Sequence, residues 1–183
     1  MSYGQDLADK LARDARDLMQ QDWYARIFPY DQRSVSEFMT TAQGYRIATS
    51  VGGVLTGRGG DFLILDDPLK PDEALSDSQR RAVNSWYDNT LYSRLNDKAR
   101  GIIILVMQRL HEDDLVGHVL AQETWDMFPF PAIAESEETF GIETPLGSRR
   151  FTRLVDDVLH PERESRETLA RVRQTIGEYN FAG

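Results

Sequence analysis

The strongest constraint on the fold is one octapeptide, Asp61-Phe62-Leu63-Ile64-Leu65-Asp66-Asp67-Pro68, in which four consecutive apolar residues are closed by two adjacent carboxylates and a proline. A continuous apolar run of this length, bounded by Gly59-Gly60 and Pro68, predicts a strand buried on both faces, as in a parallel sheet. Its carboxylates then stand at the C-terminal edge, where open α/β sheets bind ligands. If the strand persists that far, Asp66 and Asp67 project to opposite sides. A Walker B element is built this way: the first acid holds the Mg²⁺ of a nucleotide, and the next orients or deprotonates the attacking water. The same residues also suit a polar turn, because Asp-Asp and Asp-Pro commonly start turns.

A second apolar run, Ile102 to Met107, ends in Gln108-Arg109. Between the two runs, Asp72 to Asn96 reads as a helix, with Ser76 or Asp77 near its N-cap and Ala82, Val83, Trp86, Tyr87, Leu91 and Leu95 at helical intervals. Strand, helical crossover and parallel strand make a βαβ unit. Asp66-Asp67 and Gln108-Arg109 are therefore expected to emerge on one edge of the sheet, two acids converging with an amide and an arginine.

Around this frame, Gln5 to Asp22 carries an amphipathic helical pattern. The patch Trp23, Tyr24, Ile27 and Phe28 before Pro29 is expected to close that helix onto the core, since its neighbours are not basic enough for a base-stacking platform. Glu37 to Val51 predicts two short strands about Gly44. Residues 52–60 pack five glycines into nine positions, which points to backbone turns that side chains would prevent. This loop has neither a G-x-x-x-x-G-K-[ST] nor a G-x-G-x-x-G pattern. Its one charge, Arg58, is either a phosphate-reaching finger or a solvent-facing hairpin residue. His111-Glu112-Asp113-Asp114 is not an H-E-x-x-H metal motif, because position 115 is Leu; its acids suit a helix start. His118 reads as a surface or packed histidine. Residues 125–134 predict an edge strand or extended segment, 135–151 a loop region and 162–178 a charged helix.

Composition sets the outer bounds. With 183 residues, 40% of them hydrophobic, one domain spanning 1–183 is expected. The net charge of -9 argues against a free-standing DNA-binding module. Zero cysteines exclude disulfides, thiolate metal sites and cysteine nucleophiles. No signal peptide or membrane span is legible, so a cytoplasmic protein without membrane partners is expected.

Four blocks in one order, residues 53–59, 62–70, 85–87 and 107–117, closely resemble the large terminase subunit of tailed bacteriophages. Asp6-Leu7-Ala8, Trp23-Tyr24 and Phe130-Pro131-Ala132-Ile133 extend the likeness over nearly the whole chain. The resemblance implies a partial P-loop NTPase-type three-layer α/β fold with a mainly parallel sheet flanked by helices. It further implies ATP hydrolysis coupled to DNA translocation in the complete motor, with Mg²⁺ and ATP as cofactors. Double-stranded DNA, the portal protein and the small terminase subunit would be the partners, in the bacterial host cytoplasm. On this resemblance Asp66 takes the Mg²⁺ role, Asp67 is the catalytic carboxylate, and Met107 to Arg109 form the coupling motif, with Gln108 and Arg109 sensing the nucleotide. Arg58 is the nominated arginine finger.

The chain departs from the family in three respects. It contains no Walker A motif, its second acid is Asp67 where glutamate is usual, and it stops before any nuclease domain. It is therefore expected to be an inactive internal piece of the motor, with an exposed sheet edge prone to self-association. Two alternatives remain at this stage. One is a non-enzymatic acidic interaction module or prophage remnant that binds portal or small subunit. The other is a metal-dependent hydrolase using Asp66, Asp67, Asp72 and His111, which requires acids that converge instead of pointing apart.

Overall fold

The computed structural model describes residues 1–26, 30–32, 37–144 and 147–182. Ile27 and Phe28 of the predicted apolar patch lie outside these residues. The chain divides into two compact units, Met1–Glu123 and Thr124–Gly183.

In the first unit, helix α1 (Gln5–Met19) is followed by one helical turn, α2 (Asp22–Ala25). Ala8 and Ala12 of α1 form a small buried cluster with Ala48. Three short antiparallel strands come next: β1 (Tyr30–Gln32), β2 (Glu37–Thr40) and β3 (Tyr45–Ile47). The β2–β3 hairpin turns at Gly44 as the sequence predicts; β1 was not foreseen. Strands β4 (Phe62–Asp66) and β5 (Ile102–Val106) then pair in parallel, with Phe62 opposite Ile102 and Asp66 opposite Val106.

The crossover between β4 and β5 is helical but starts later than expected. Helix α3 runs Asp77–Trp86 with Ser76 at its N-cap position, continues as a π-helical turn at Tyr87–Leu91, and closes with a 3₁₀ turn at Tyr92–Arg94. The first turn is stapled by Arg80, which is buried, donates to the Ala74 carbonyl at 2.6 Å and pairs with Asp77. From the crossover, Val83, Tyr87, Leu91 and Leu95 are buried. Helix α4 (Leu115–Gln122) follows β5 and contributes buried Leu115 and Val119.

One expectation about the sheet is corrected. The apolar runs are not buried on both faces: Leu63 and Leu65 keep 4% or less of their surface, whereas Phe62, Ile64, Ile102, Ile104 and Val106 keep between 41% and 63%. These five share one face by strand alternation and register, so an entire apolar sheet face is uncovered in this unit. The outer edge of β4 is covered, while β5 keeps a free outer edge among the described residues. Met1 donates its amino group to the Ile64 carbonyl at 2.6 Å, its carbonyl accepts from the Asp66 amide at 2.7 Å, and Ser2 pairs in parallel with Ser50. The first residues thus lie between β4 and the chain leaving β3. The parallel arrangement is local, and the named strands form three small sheets, one parallel pair and two antiparallel sets. The protein is mixed α/β.

The second unit corrects one further expectation, the loop over 135–151. Residues 125–134 form no named strand and contribute only the bridge Ile133–Val158, because the prolines at 129 and 131 remove ladder donors. The predicted loop over 135–151 is instead largely a hairpin, β6 (Glu138–Thr144) with β7 (Gly147–Arg153), in antiparallel register Phe140–Phe151. Phe128, Phe130, Phe140 and Phe151 cluster at ring separations of 5.1 to 6.5 Å. Buried Arg153 ties the hairpin down through Glu138 at 3.4 Å and the Pro131 carbonyl at 2.7 Å. Helix α5 (Arg166–Ala182) is broken at Gly177, whose φ of 80° is non-helical.

Candidate functional site

The C-terminal end of β4 brings the two sequence-predicted acids to the edge shared with β5. Asp66 is half-buried and lies on the uncovered face, beyond Phe62 and Ile64. Asp67 does not continue the strand. Its φ is 45°, in the left-handed region that aspartate tolerates better than most residues. Its backbone is clamped on both sides: the amide donates to the Val106 carbonyl at 2.9 Å, and its carbonyl accepts from the Tyr3 amide at 3.0 Å. Buried Pro68 and Leu69 anchor the chain directly after it. The Lys70 ammonium then lies 5.5 Å from the centre of the Tyr3 ring and 3.6 Å from Glu73. This left-handed backbone falls on the residue that the resemblance nominates as catalytic.

Positive charge reaches this strand from an unforeseen direction. Burial lowers the pKa of the Met1 amino group, nearby Arg46 lowers it further, and Asp66 raises it. Burial also lowers the pKa of Arg46, whose Nη1 is hidden from solvent without a hydrogen-bond partner. Asp66 is therefore embedded in a small electrostatic group supplied by the first residue and β3.

Past β5, Gln108 is exposed, while Arg109 is engaged locally. Its Nε donates to Asp114 Oδ2 at 2.9 Å. Asp114 is fully buried; its Oδ2 also takes the Leu110 amide at 3.2 Å, and its Oδ1 takes the Gly117 amide at 3.0 Å as the N-cap of α4. Gly117 is required here, since a Cβ would stand 1.9 Å from the Glu112 carbonyl oxygen. The segment after β5 is thus hooked onto the start of α4 by one carboxylate. Sequence reasoning took the acids at 112–114 together as helix-start charges and did not single out Asp114 as the cap. The available signal was its position directly before Leu115, where an N-cap aspartate belongs.

Arg58 is not brought to the acids. It forms a two-pronged ion pair with Glu37 of β2, at 2.9 and 3.2 Å, and precedes β4 in a loop joined to Leu95 through Gly60. Asp66 lies at the other end of the strand, about 13 Å further along for a rise of ~3.3 Å per residue. Asp72 is exposed in the turn before α3, and His111 uses Nδ1 to accept the Asp113 amide at 3.0 Å. Among the described residues no three histidine, aspartate or glutamate side chains gather as a metal-ligand group, so the four-residue hydrolase arrangement does not assemble. His118 reaches back to the π-helical turn, with Nε2 2.9 Å from Asp88, while Gln122 donates to the same carboxylate at 3.1 Å. Tyr87, at the start of that turn, is 2% exposed and its hydroxyl has no partner; burial, the largest cause, pushes its pKa up to about 12.

The fit of Mg²⁺ and of ATP differs. Mg²⁺ is commonly held by one or two carboxylates together with substrate phosphates and water, a role one accessible carboxylate such as Asp66 suits. A phosphate cradle does not fit these residues: the sequence lacks a P-loop, and the glycine-rich loop lies at the opposite end of β4.

A cavity of about 440 Å³ in the second unit is lined by Phe151, Arg153, Asp156, Asp157, Val158 and Leu159 among others. Its buried cation already serves Glu138 and two carbonyls. No helix among the described residues is long and apolar enough to cross a membrane. Comparison of the chain with protein-family models, curated proteins and solved structures finds no match.

Proposed function

We propose that the first unit is the magnesium-carrying half of a P-loop-type ATPase of the large terminase kind, which hydrolyses ATP to translocate double-stranded DNA in the complete motor. The observation that carries this reading is the position of Asp66. It terminates an uncovered apolar face, in register with a parallel neighbour whose outer edge is also free among the described residues. In the three-layer fold such a face and edge receive a further strand and its helix, and a P-loop on that insertion would bring phosphates to the aspartate. Asp66 would hold Mg²⁺ and Asp67, locked in its left-handed conformation, would face the attacking water. Gln108 would report the state of the phosphates, with Arg109 fixing its segment through Asp114. No catalytic step is assigned to the chain alone, because the phosphate cradle is not among its residues. Portal protein and small terminase subunit are the partners of the complete motor in this reading, and the host cytoplasm its location.

The test joins a strand, P-loop and helix from a large terminase ahead of Met1. The joined protein is expected to hydrolyse ATP in a Mg²⁺-dependent manner and to lose turnover on Asp66→Asn or Asp67→Asn. The unmodified chain should show no thermal shift with Mg²⁺ and an ATP analogue. A joined protein that folds but binds no nucleotide, or one indifferent to both substitutions, refutes the proposal. The uncovered apolar face also supports a second reading, a non-catalytic module that binds a portal or small-subunit surface. Capture of either protein by a chain that never binds nucleotide would favour it.

A further inference from the structure

Strand β5 pairs with β4 along one side, and its other side has no partner among the described residues. The bonding pattern identifies the groups on that free side. The Ile102 amide donates to the Asp61 carbonyl, and the Val106 carbonyl accepts from the Asp67 amide, both at 2.9 Å. Ile102 and Val106 therefore direct their backbone groups toward β4, as does Ile104 between them. Ile103 and Leu105, the alternate residues, direct theirs outward.

Two outward residues flanking a central one make an edge that can pair with its own copy. A two-fold axis through Ile104, perpendicular to the sheet, sets Ile103 of one copy opposite Leu105 of the other. Each such pair exchanges two backbone hydrogen bonds, and the interface is isologous. The edge carries none of the devices that discourage such pairing: Ile102 to Val106 contain no charge and no proline, and their ladder with β4 has no bulge. The symmetry also keeps both uncovered faces on the same side, so Phe62, Ile64 and Ile104 of one copy continue into those of the other as a four-stranded surface.

We infer that the chain forms a symmetric dimer through antiparallel β5–β5 pairing centred on Ile104. The dimer occupies the edge that the P-loop strand would fill in the complete motor, so it is a property of the chain without that strand; the inference rests on backbone geometry and not on the nucleotide reading, and its readout is molecular mass. At the centre, Ile104 faces its own copy in a non-hydrogen-bonded pair, where Cα atoms approach to about 4.5 Å. Like charges placed there repel and opposite charges attract.

The experiment measures the mass of the full chain by sedimentation velocity across a concentration series, for the wild type, Ile104→Lys, Ile104→Glu and an equimolar mixture of the two variants. The Ile104 side chain is 41% exposed, so both substitutions leave the covered face intact. The expected result is a concentration-dependent wild-type dimer, a dissociation constant at least tenfold weaker for each variant alone, and recovery of the dimer in the mixture. A wild type that is monomeric throughout, an oligomer unchanged by either variant, or a mixture that stays monomeric overturns the inference. Because recovery on mixing requires folded partners, misfolding cannot imitate it.

Discussion

Replacing Asp114 by asparagine is ordinarily a gentle change at a helix N-cap, where the two residues rank about equally. Here it is expected to be nearly as damaging as alanine. Oδ2 is surrounded by donors, the Arg109 Nε at 2.9 Å and the Leu110 amide at 3.2 Å, while Oδ1 faces the Gly117 amide at 3.0 Å. An asparagine amide group turned toward Oδ2's position opposes two donors, and turned the other way it opposes the cap donor. Neither orientation satisfies the site. Loss of a charge-assisted bond costs about 1.5–3 kcal/mol, and loss of a cap about 1 kcal/mol. Alanine loses both, about 3 kcal/mol, while asparagine loses the charge and one of the two sides, about 2 kcal/mol, since Asp114 is fully buried and water cannot substitute freely. Hydrogen exchange at the Leu110 and Gly117 amides is the direct assay, and the ~3 kcal/mol lost with alanine corresponds to about 100-fold faster exchange where local opening governs it. Asp114→Asn within about 0.5 kcal/mol of wild type in urea unfolding, with both amides still protected, would refute the claim that the carboxylate is read by donors on both sides.

Gly117→Ala attacks the same hook sterically: with 1.9 Å between the new Cβ and the Glu112 carbonyl oxygen, the start of α4 must move. A loss of about 2–3 kcal/mol is expected by the overpacking rule, measured by urea unfolding, and an unchanged midpoint would show that the turn relaxes without cost. Tyr87 makes stability pH-dependent at the alkaline end. Its folded pKa of about 12 exceeds the ordinary tyrosine value of 10.0, so the folded state binds the proton more tightly; this contribution is intact below pH 10 and is lost as pH rises toward 12. Tyr87→Phe, which discards a hydroxyl without a partner, should be nearly neutral at pH 7. Its stability should exceed that of wild type by about 1.4 kcal/mol more at pH 11 than at pH 7, roughly one pKa unit, and parallel pH profiles of the two proteins would contradict this account.

The parallel pair was legible because two apolar runs joined by a helical pattern leave few alternatives, and the register then follows from the crossover. The exposure of one of its faces was not. In Phe62-Leu63-Ile64-Leu65 both alternating sets are apolar, so the sequence carries no sign of which face is covered. The hairpin at 138–153 was hidden by Gly141, Pro145 and Gly147, which read as loop punctuation although its strands alternate Thr139-Phe140 against Phe151-Thr152. At the candidate site, the nearness of Asp66 and Asp67 to the end of β5 could be read from spacing. The pairing of Arg58 with Glu37 could not, since the partners are 21 residues apart and nothing local links them. The left-handed Asp67 was likewise illegible, being imposed by clamps from Val106 and Tyr3 on either side.

The stitching of Met1 into the sheet has a practical consequence for anyone who handles this protein. An affinity tag fused ahead of it would turn the amino group into an amide, which can still donate to Ile64 but no longer carries the cation beside Asp66 and Arg46. The appended residues would have to run alongside β4 toward Phe62 or turn sharply away. Comparing the unfolding midpoints of amino-terminally and carboxy-terminally tagged protein would itself report how much the first three residues contribute to holding the strand.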